Sequence, residues 1–435
     1  MSRAGAGGAS TEATPYRDRA LAPVRYISGD ERRGAEPGVG LCLSGGGYRA
    51  MLFHLGALWR LNELGELRGL ARVSSVSGGS ITAALLGAEW NELEFDPSSA
   101  VAENFESRVV APIRRLASKT IDVRAVLGGV LLPGSVSRRI ERTYDAALFD
   151  GRTLQAFPDD DEGPRFVINA TNLQSGALWR FSKAYAADYA VGSIAKPEIS
   201  LARAVAASSA FPPVLAPTRF RFDSDEVEAI DGAYLHEPRY TTRPVLADGG
   251  VYDNLGLETV WKRCQTVLIS DAGGAMAADH GKIGSLPYRW RDWGTQTKRV
   301  LSVIDSQVRS LRKRQALAGF ESDPSDRHHR AGAYWGIRSD PSNFSPPEPS
   351  DLDLPARATM ALAKTPTRLR ALDQGLQKRI INWGYAACDL AMRAHVTPAA
   401  PAPTAFPYPD EGVGPDPGSG LRWESNAINQ SRDRE

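Results

Sequence analysis

Cysteine is scarce in this sequence: Cys42, Cys264 and Cys388 stand far apart among 435 residues, with no Cys-x-x-Cys pair. That spacing argues against a disulfide framework or a zinc site, and the apolar runs at Cys42 and Cys264 make buried free thiols the expectation. An excess of charge is lacking too. With 52 Lys and Arg against 51 Asp and Glu, the formal net charge is +1, so no bulk field recruits nucleic acid or an anionic membrane. Any membrane contact has to be local and apolar. No stretch approaches 18 uninterrupted apolar residues, and Met1 to Ala22 holds no apolar segment of signal-peptide type. These two absences lead us to expect a soluble, cytoplasmic protein.

What is present is a core-forming composition, 42% apolar, arranged as short strand-like runs between helical stretches. The runs are Val39 to Leu43, Phe166 to Ala170, Leu178 to Phe181, Val214 to Phe222 and Thr266 to Ser270. Their alternation with helices predicts an α/β fold: a mainly parallel central sheet with helices on both faces, hence three layers, α/β/α. Two long helices are expected over about 292–320 and 367–395. Residues 1–36 read as a flexible leader, 37–396 as the folded domain, and 397–435 as a Pro-rich disordered tail. Trp59, Trp179 and Phe181 are expected in the core.

Chemistry concentrates in two turns. Ser44-Gly45-Gly46-Gly47-Tyr48-Arg49 follows the first apolar run and opens a stretch with Leu52, Leu55, Leu58, Trp59 and Leu61 at helical spacing. One helix-length later, Ser75-Val76-Ser77-Gly78-Gly79 closes a second strand and opens a second helix. The first turn fits the loose dinucleotide pattern Gly45-x-Gly47-x-x-Ala50, but the second strand ends in Ser77 rather than the acidic residue that pattern needs. No Gly-Lys-Ser/Thr follows, which excludes a Walker loop. A purely structural turn does not require three glycines, each costly in backbone entropy. Successive backbone N–H groups at a helix N-terminus do suit a developing oxyanion, and a serine on a sharp strand-to-helix turn suits a nucleophile. Ser77 is the candidate nucleophile, preferred over Ser74, Ser75 and Ser80.

Such a serine needs a base, either His or a carboxylate. His280, His328, His329 and His395 all fall outside the ends of apolar runs. Leu246-Ala247-Asp248-Gly249-Gly250, continuing to Asn254, instead places an aspartate on a glycine turn after an apolar approach. Asp231-Gly232-Ala233 offers a rival aspartate, but in a charged, aromatic-rich segment, 223–240, that reads as a surface hairpin or insertion.

These residues together resemble the patatin-like phospholipases. Gly45-Gly46-Gly47-Tyr48-Arg49-Ala50 is similar to the family's G-G-G-x-R-G loop except at Ala50. Ser75 to Gly79 matches the G-x-S-x-G elbow except at Ser75, and Asp248-Gly249-Gly250 matches D-G-G. Val167 to Asn172 and Ala207 to Pro213 are similar to the family as well. The resemblance covers about 39–275, and more loosely the chain to 395.

It implies a lipid acyl hydrolase of phospholipase A or lysophospholipase type with a Ser77–Asp248 dyad and no histidine. The alternative is an inactive lipid-binding or regulatory module on the same fold. The oxyanion-hole group is Gly45, Gly46, Gly47, Arg49 and Gly78; Arg49 either supports the loop, meets a lipid phosphate, or forms a salt bridge at the helix start. No metal or cofactor is implied, and Asp159-Asp160-Asp161-Glu162 lacks the glycine and terminal glutamate of a calcium loop. The partner is a lipid or phospholipid, with transient membrane-surface contact and no nucleic acid. Val126 to Pro133 reads either as a lid or as a core segment.

Overall fold

Among the described residues ten strands form: β1 (Glu36–Leu43), β2 (Leu70–Ser75), β3 (Arg165–Asn172), β4 (Leu178–Phe181), β5 (Tyr185–Asp188), β6 (Gly192–Ala195), β7 (Thr218–Arg219), β8 (Val245–Asp248), β9 (Cys264–Asp271) and β10 (Ala331–Gly336). The computed structural model describes residues 35–121, 135–212, 215, 217–274 and 290–414. The strands form one sheet in the order β10-β9-β1-β2-β3-β4-β5-β6, with β8 joined to β3 and β7 to β8. From β10 to β3 every pairing is parallel. Beyond β3 the short strands form an antiparallel meander.

The helices that bear on the site are α1 (Gly47–Glu63), α2 (Gly78–Glu89), α3 (Ser135–Tyr144), α4 (Leu201–Ser208), α5 (Gly250–Asp253), α6 (Trp290–Glu321) and α7 (Gln374–His395). Alternation along the strands divides the apolar residues between two faces. Leu41, Leu43 and Leu268 enter the large core with residues of α1, α2 and α7. Cys42, Val267 and Ile269 enter a smaller one with Leu257, Val260 and Ala316 of α6. Helices therefore cover both faces, and the architecture is the three-layer α/β/α arrangement. All three cysteines are buried and free; Trp179 and Phe181 are fully buried, while Trp59 is half-buried.

Helix α1 is buried almost all round because α7, itself seated against β10 through Trp383, packs directly on it. The two helices cross where each carries a glycine: a Cβ at Gly56 would stand 1.9 Å from the Ile381 carbonyl oxygen, and one at Gly384 the same distance from that of Phe53. This clamps the helix that grows out of the glycine-rich turn.

Three expected boundaries move. Helix α7 begins at Gln374 rather than near 367, since the Asp373 carboxylate caps it by accepting the Leu376 N–H. Among the described residues of the run 214–222, only Thr218–Arg219 forms a strand. The domain also continues past 396. Asn382 donates to the carbonyls of Tyr408 and Gly412, Tyr408 packs edge-on to Trp59, and Val413 is 2% exposed. Proline-rich sequence follows the core here because side chains of α7 supply the hydrogen bonds its backbone lacks. Val126 to Pro133 and His280 lie outside the described residues.

Candidate active site

Parallel pairing puts the ends of the central strands level. Leu43 of β1 pairs with Ser75 of β2 and with Ser270 of β9, so the glycine turn and the serine turn leave the same edge of the sheet. Ser77 then adopts φ 50° and ψ −117°, a strained conformation for a residue with a Cβ. Its N–H donates to Ser208 Oγ at 2.9 Å, and Ser208 Oγ also meets Ser80 Oγ at 2.9 Å. The strain is thus held from the C-terminal end of α4. Immediately after it, glycine is obligatory: a Cβ at Gly78 would lie 2.2 Å from the Gly47 carbonyl oxygen, and one at Gly79 would lie 2.4 Å from that of Leu43.

Ser75, where the family motif has glycine, is knitted into the strand end. Its hydroxyl donates to the Val167 carbonyl and accepts from Ser80 Oγ, and Asn169 Nδ2 donates to the Ser75 carbonyl and to Ser74 Oγ. Ala50, the other departure, is buried, with its methyl against Gly46.

Asp248 ends β8, which pairs antiparallel with β3 through Ala170 opposite Asp248. Its carboxylate accepts the Gly250 N–H at 2.7 Å and lies within interaction range of the Ser77 side chain. The Thr171 hydroxyl donates to its carbonyl, and its own N–H donates to Ala210. At 3% exposure, burial pushes its pKa up to about 7, against the opposing pull of the Gly250 N–H and the Ser77 side chain. A carboxyl group that ordinarily is fully ionised at neutral pH is here poised to exchange a proton.

The oxyanion candidates divide. Gly45 N–H already donates to the Asn254 carbonyl at 3.1 Å and to Asn254 Oδ1 at 3.2 Å, so it is committed to holding the loop. Arg49 is likewise removed from the group. Its guanidinium is buried and donates to the carbonyls of Ala272 and Thr365, which fixes the turn and leaves no face for a lipid phosphate. Among the described residues no acceptor takes the N–H groups of Gly46, Gly47 and Gly78, the last two being first residues of helices with no partner within their own helix. Gly46 and Gly47 have φ of 148° and 61°, conformations that admit glycine.

A family model described as patatin-like phospholipase matches residues 41–261, just over half of the chain. The chain belongs to that family. Among solved structures it is similar to human GIVD cytosolic phospholipase A2, at 13% identity and a TM-score of 0.46, covering 81% of this chain and 58% of that one. It is also similar to VipD from Legionella pneumophila, at 16% identity and a TM-score of 0.31, covering 82% and 66%. The chain thus spans less than two thirds of these structures' own length. No curated protein sequence matches it.

In this patatin-like phospholipase the remaining sequence candidates lie elsewhere. Asp231 is exposed in a turn, His328 and His395 are exposed, and His329 is bound through Nδ1 to the Ser322 carbonyl. Asp159 and Asp160 pair with Lys183 and Arg165. Among the described residues no three His, Cys, Asp or Glu side chains converge as a metal site would require.

Other residues at the site carried weaker sequence signals. His54 is fully buried behind the glycine turn; Nε2–H donates to the Ser44 carbonyl at 2.9 Å, which leaves Nδ1 to accept from Ser270 Oγ at 2.8 Å. Burial lowers its pKa to about 4 and keeps it neutral. Asn254 lies between the turn and α6, within interaction range of Asp305. Asn169, Ser208 and Asn254 all lay in stretches that resembled the family, so their positions were visible while their roles were not; nothing in the sequence singled out His54. The hydroxyls of Tyr48, Tyr144 and Ser209 are buried without hydrogen-bond partners, with Tyr144 facing Ser209 and within electrostatic reach of Asp248.

Proposed function

We propose that this patatin-like phospholipase is a serine-dependent lipid acyl hydrolase. The observation that carries the reading is a strained Ser77 whose side chain lies within interaction range of a buried Asp248 carboxyl with a pKa of about 7. In this scheme the Asp248 carboxylate takes the Ser77 proton as Oγ attacks the ester carbonyl. The tetrahedral oxyanion is received by the open N–H groups of Gly46, Gly47 and Gly78, each worth roughly 3 kcal/mol in the transition state. Collapse transfers the proton from Asp248 to the departing alcohol and leaves an acyl-Ser77 ester. Water, deprotonated by Asp248, then attacks that ester, and the fatty acid leaves as Ser77 recovers its proton. The unpartnered hydroxyls of Tyr48, Tyr144 and Ser209 would serve the polar parts of this sequence, the entering water among them.

The substrate is a lipid or phospholipid. Support comes from α6, which touches the site through Asp305 and leaves Val300, Val303 and Ile304 exposed within one helical turn. An apolar patch of this kind beside a hydrolytic centre suits transient contact with a lipid surface, and among the described residues no helix is long and apolar enough to cross a membrane.

Treating the purified chain with a fluorophosphonate and weighing it tests the reading. One adduct is expected, absent from Ser77→Ala. Absence of any adduct on the wild type would leave a lipid-binding or regulatory module on the same fold.

A further inference from the structure

A second concave site lies at the other edge of the sheet. A cavity of about 590 Å³ opens between the first residues of the parallel strands and the antiparallel β4, β5 and β6. Arg72 of β2, Arg165 of β3, Arg180 of β4 and Arg263 just before β9 line it, together with Tyr185 of β5. Ser77 lies five residues beyond Arg72, roughly 15 Å at the rise of a strand, so the cavity is no extension of the active site.

Its charges are unbalanced. The two carboxylates of the lining are Asp160, which ion-pairs with Arg165, and Glu36. Four guanidiniums against two carboxylates leave a net charge of about two, and among the described residues Arg72, Arg180 and Arg263 have no carboxylate partner within ion-pair distance. Arg72 and Arg165 are register partners on neighbouring strands, a placement of like charges that sheets ordinarily avoid. Arg165 and Arg180 also stand over the Tyr185 ring, 5.8 and 5.6 Å from its centroid, and Arg72 lies within electrostatic reach of the same phenol. Burial alone would raise this phenol, yet the charges of Arg180, Arg72 and Arg165 hold it below its ordinary value. Three guanidiniums thus gather around one phenol.

We propose that this cavity is a binding site for a phosphate-bearing anion of two or more negative charges, held by Arg72, Arg165, Arg180 and Arg263. Planar guanidinium forks match phosphate oxygens two at a time, and the volume exceeds what one inorganic phosphate fills, lying in the range of small organic ligands. The exposed apolar residues of α6 stand by the opposite edge of the sheet, so a soluble phosphoanion fits the geometry better than a headgroup of the bilayer that α6 would touch. The inference is independent of hydrolysis at Ser77.

Calorimetric titration of the full chain with inorganic pyrophosphate at fixed ionic strength tests it, alongside pelleting with phosphatidylcholine vesicles with and without phosphatidic acid. Pyrophosphate is expected to bind and to raise the melting temperature. Arg180→Gln should weaken it at least tenfold, the exposed Arg263→Gln threefold or more, and the remote Arg139→Gln not at all, with basal ester hydrolysis unchanged in all three. Binding confined to phosphatidic acid vesicles and lost in Arg180→Gln or Arg263→Gln would assign the same site to a lipid phosphate. No binding in either format, or binding indifferent to both cavity arginines, would overturn the proposal.

Discussion

A carboxyl group with a pKa of about 7 is half ionised at neutral pH, and in Asp248 the ionised half is the form that accepts the Ser77 proton. The ascending limb of kcat/KM against pH is therefore expected to bend near pH 7 and to fall about tenfold per unit below it; a profile flat from pH 5 to 9 would remove Asp248 as the base. Stability runs the other way. The native pKa lies above the unfolded value of about 3.9, so between these values the folded chain binds the extra proton, and this carboxyl's contribution declines as pH rises through about 7. Asp248→Asn is expected to melt higher than wild type at pH 8, by an amount on the order of a few kcal/mol, with the advantage lost near pH 4. Ser208→Ala is expected to cost about 1–2 kcal/mol of stability, because the Ser77 N–H loses its acceptor. The same substitution should lower kcat roughly tenfold with little change in KM, in keeping with about 1.4 kcal/mol lost from holding the turn.

At the scale of elements, α6 joins the site to an exposed apolar face. Ile304→Asp is expected to cut hydrolysis of phospholipid vesicles at least tenfold while leaving a soluble monomeric ester within twofold, measured side by side; equal losses on both would place Ile304 in the fold instead. Most elements here were legible from periodicity and turn chemistry. The strand 178–181 and the helices opened by Gly47 and Gly78 needed only an apolar run with glycine at its end. Legibility failed where a partner far along the chain decides the outcome. Leu52, Leu55, Leu58 and Leu61 mark one face of α1, and nothing in that spacing announces that α7 buries the other through Gly56 and Gly384. Gly45 and Arg49 failed for the same reason: their motif is local, but the groups that consume their N–H donors, Asn254, Ala272 and Thr365, arrive from more than 200 residues downstream.

At the scale of the whole molecule, the parallel half of the sheet gathers the chemistry at one edge and arginines at the other. The turns that carry Ser77 and Asp248 were legible because both are flanked by glycines at the end of an apolar run. The arginine cavity was not, since Arg72, Arg165, Arg180 and Arg263 are ordinary cations of separate strands and turns until the strand order brings them to one cavity. The continuation to 414 was hidden by its prolines, which forecast disorder, while Asn382 and Trp59 secure the segment from within. What binds these scales together is the claim that Ser77 and Asp248 hydrolyse lipid esters. Fatty acid released from phospholipid vesicles, quantified for wild type, Ser77→Ala and Asp248→Asn at pH 8, measures it directly. Release by wild type with a fall of at least a thousandfold in both folded variants is the expected outcome; full activity in Ser77→Ala would contradict it.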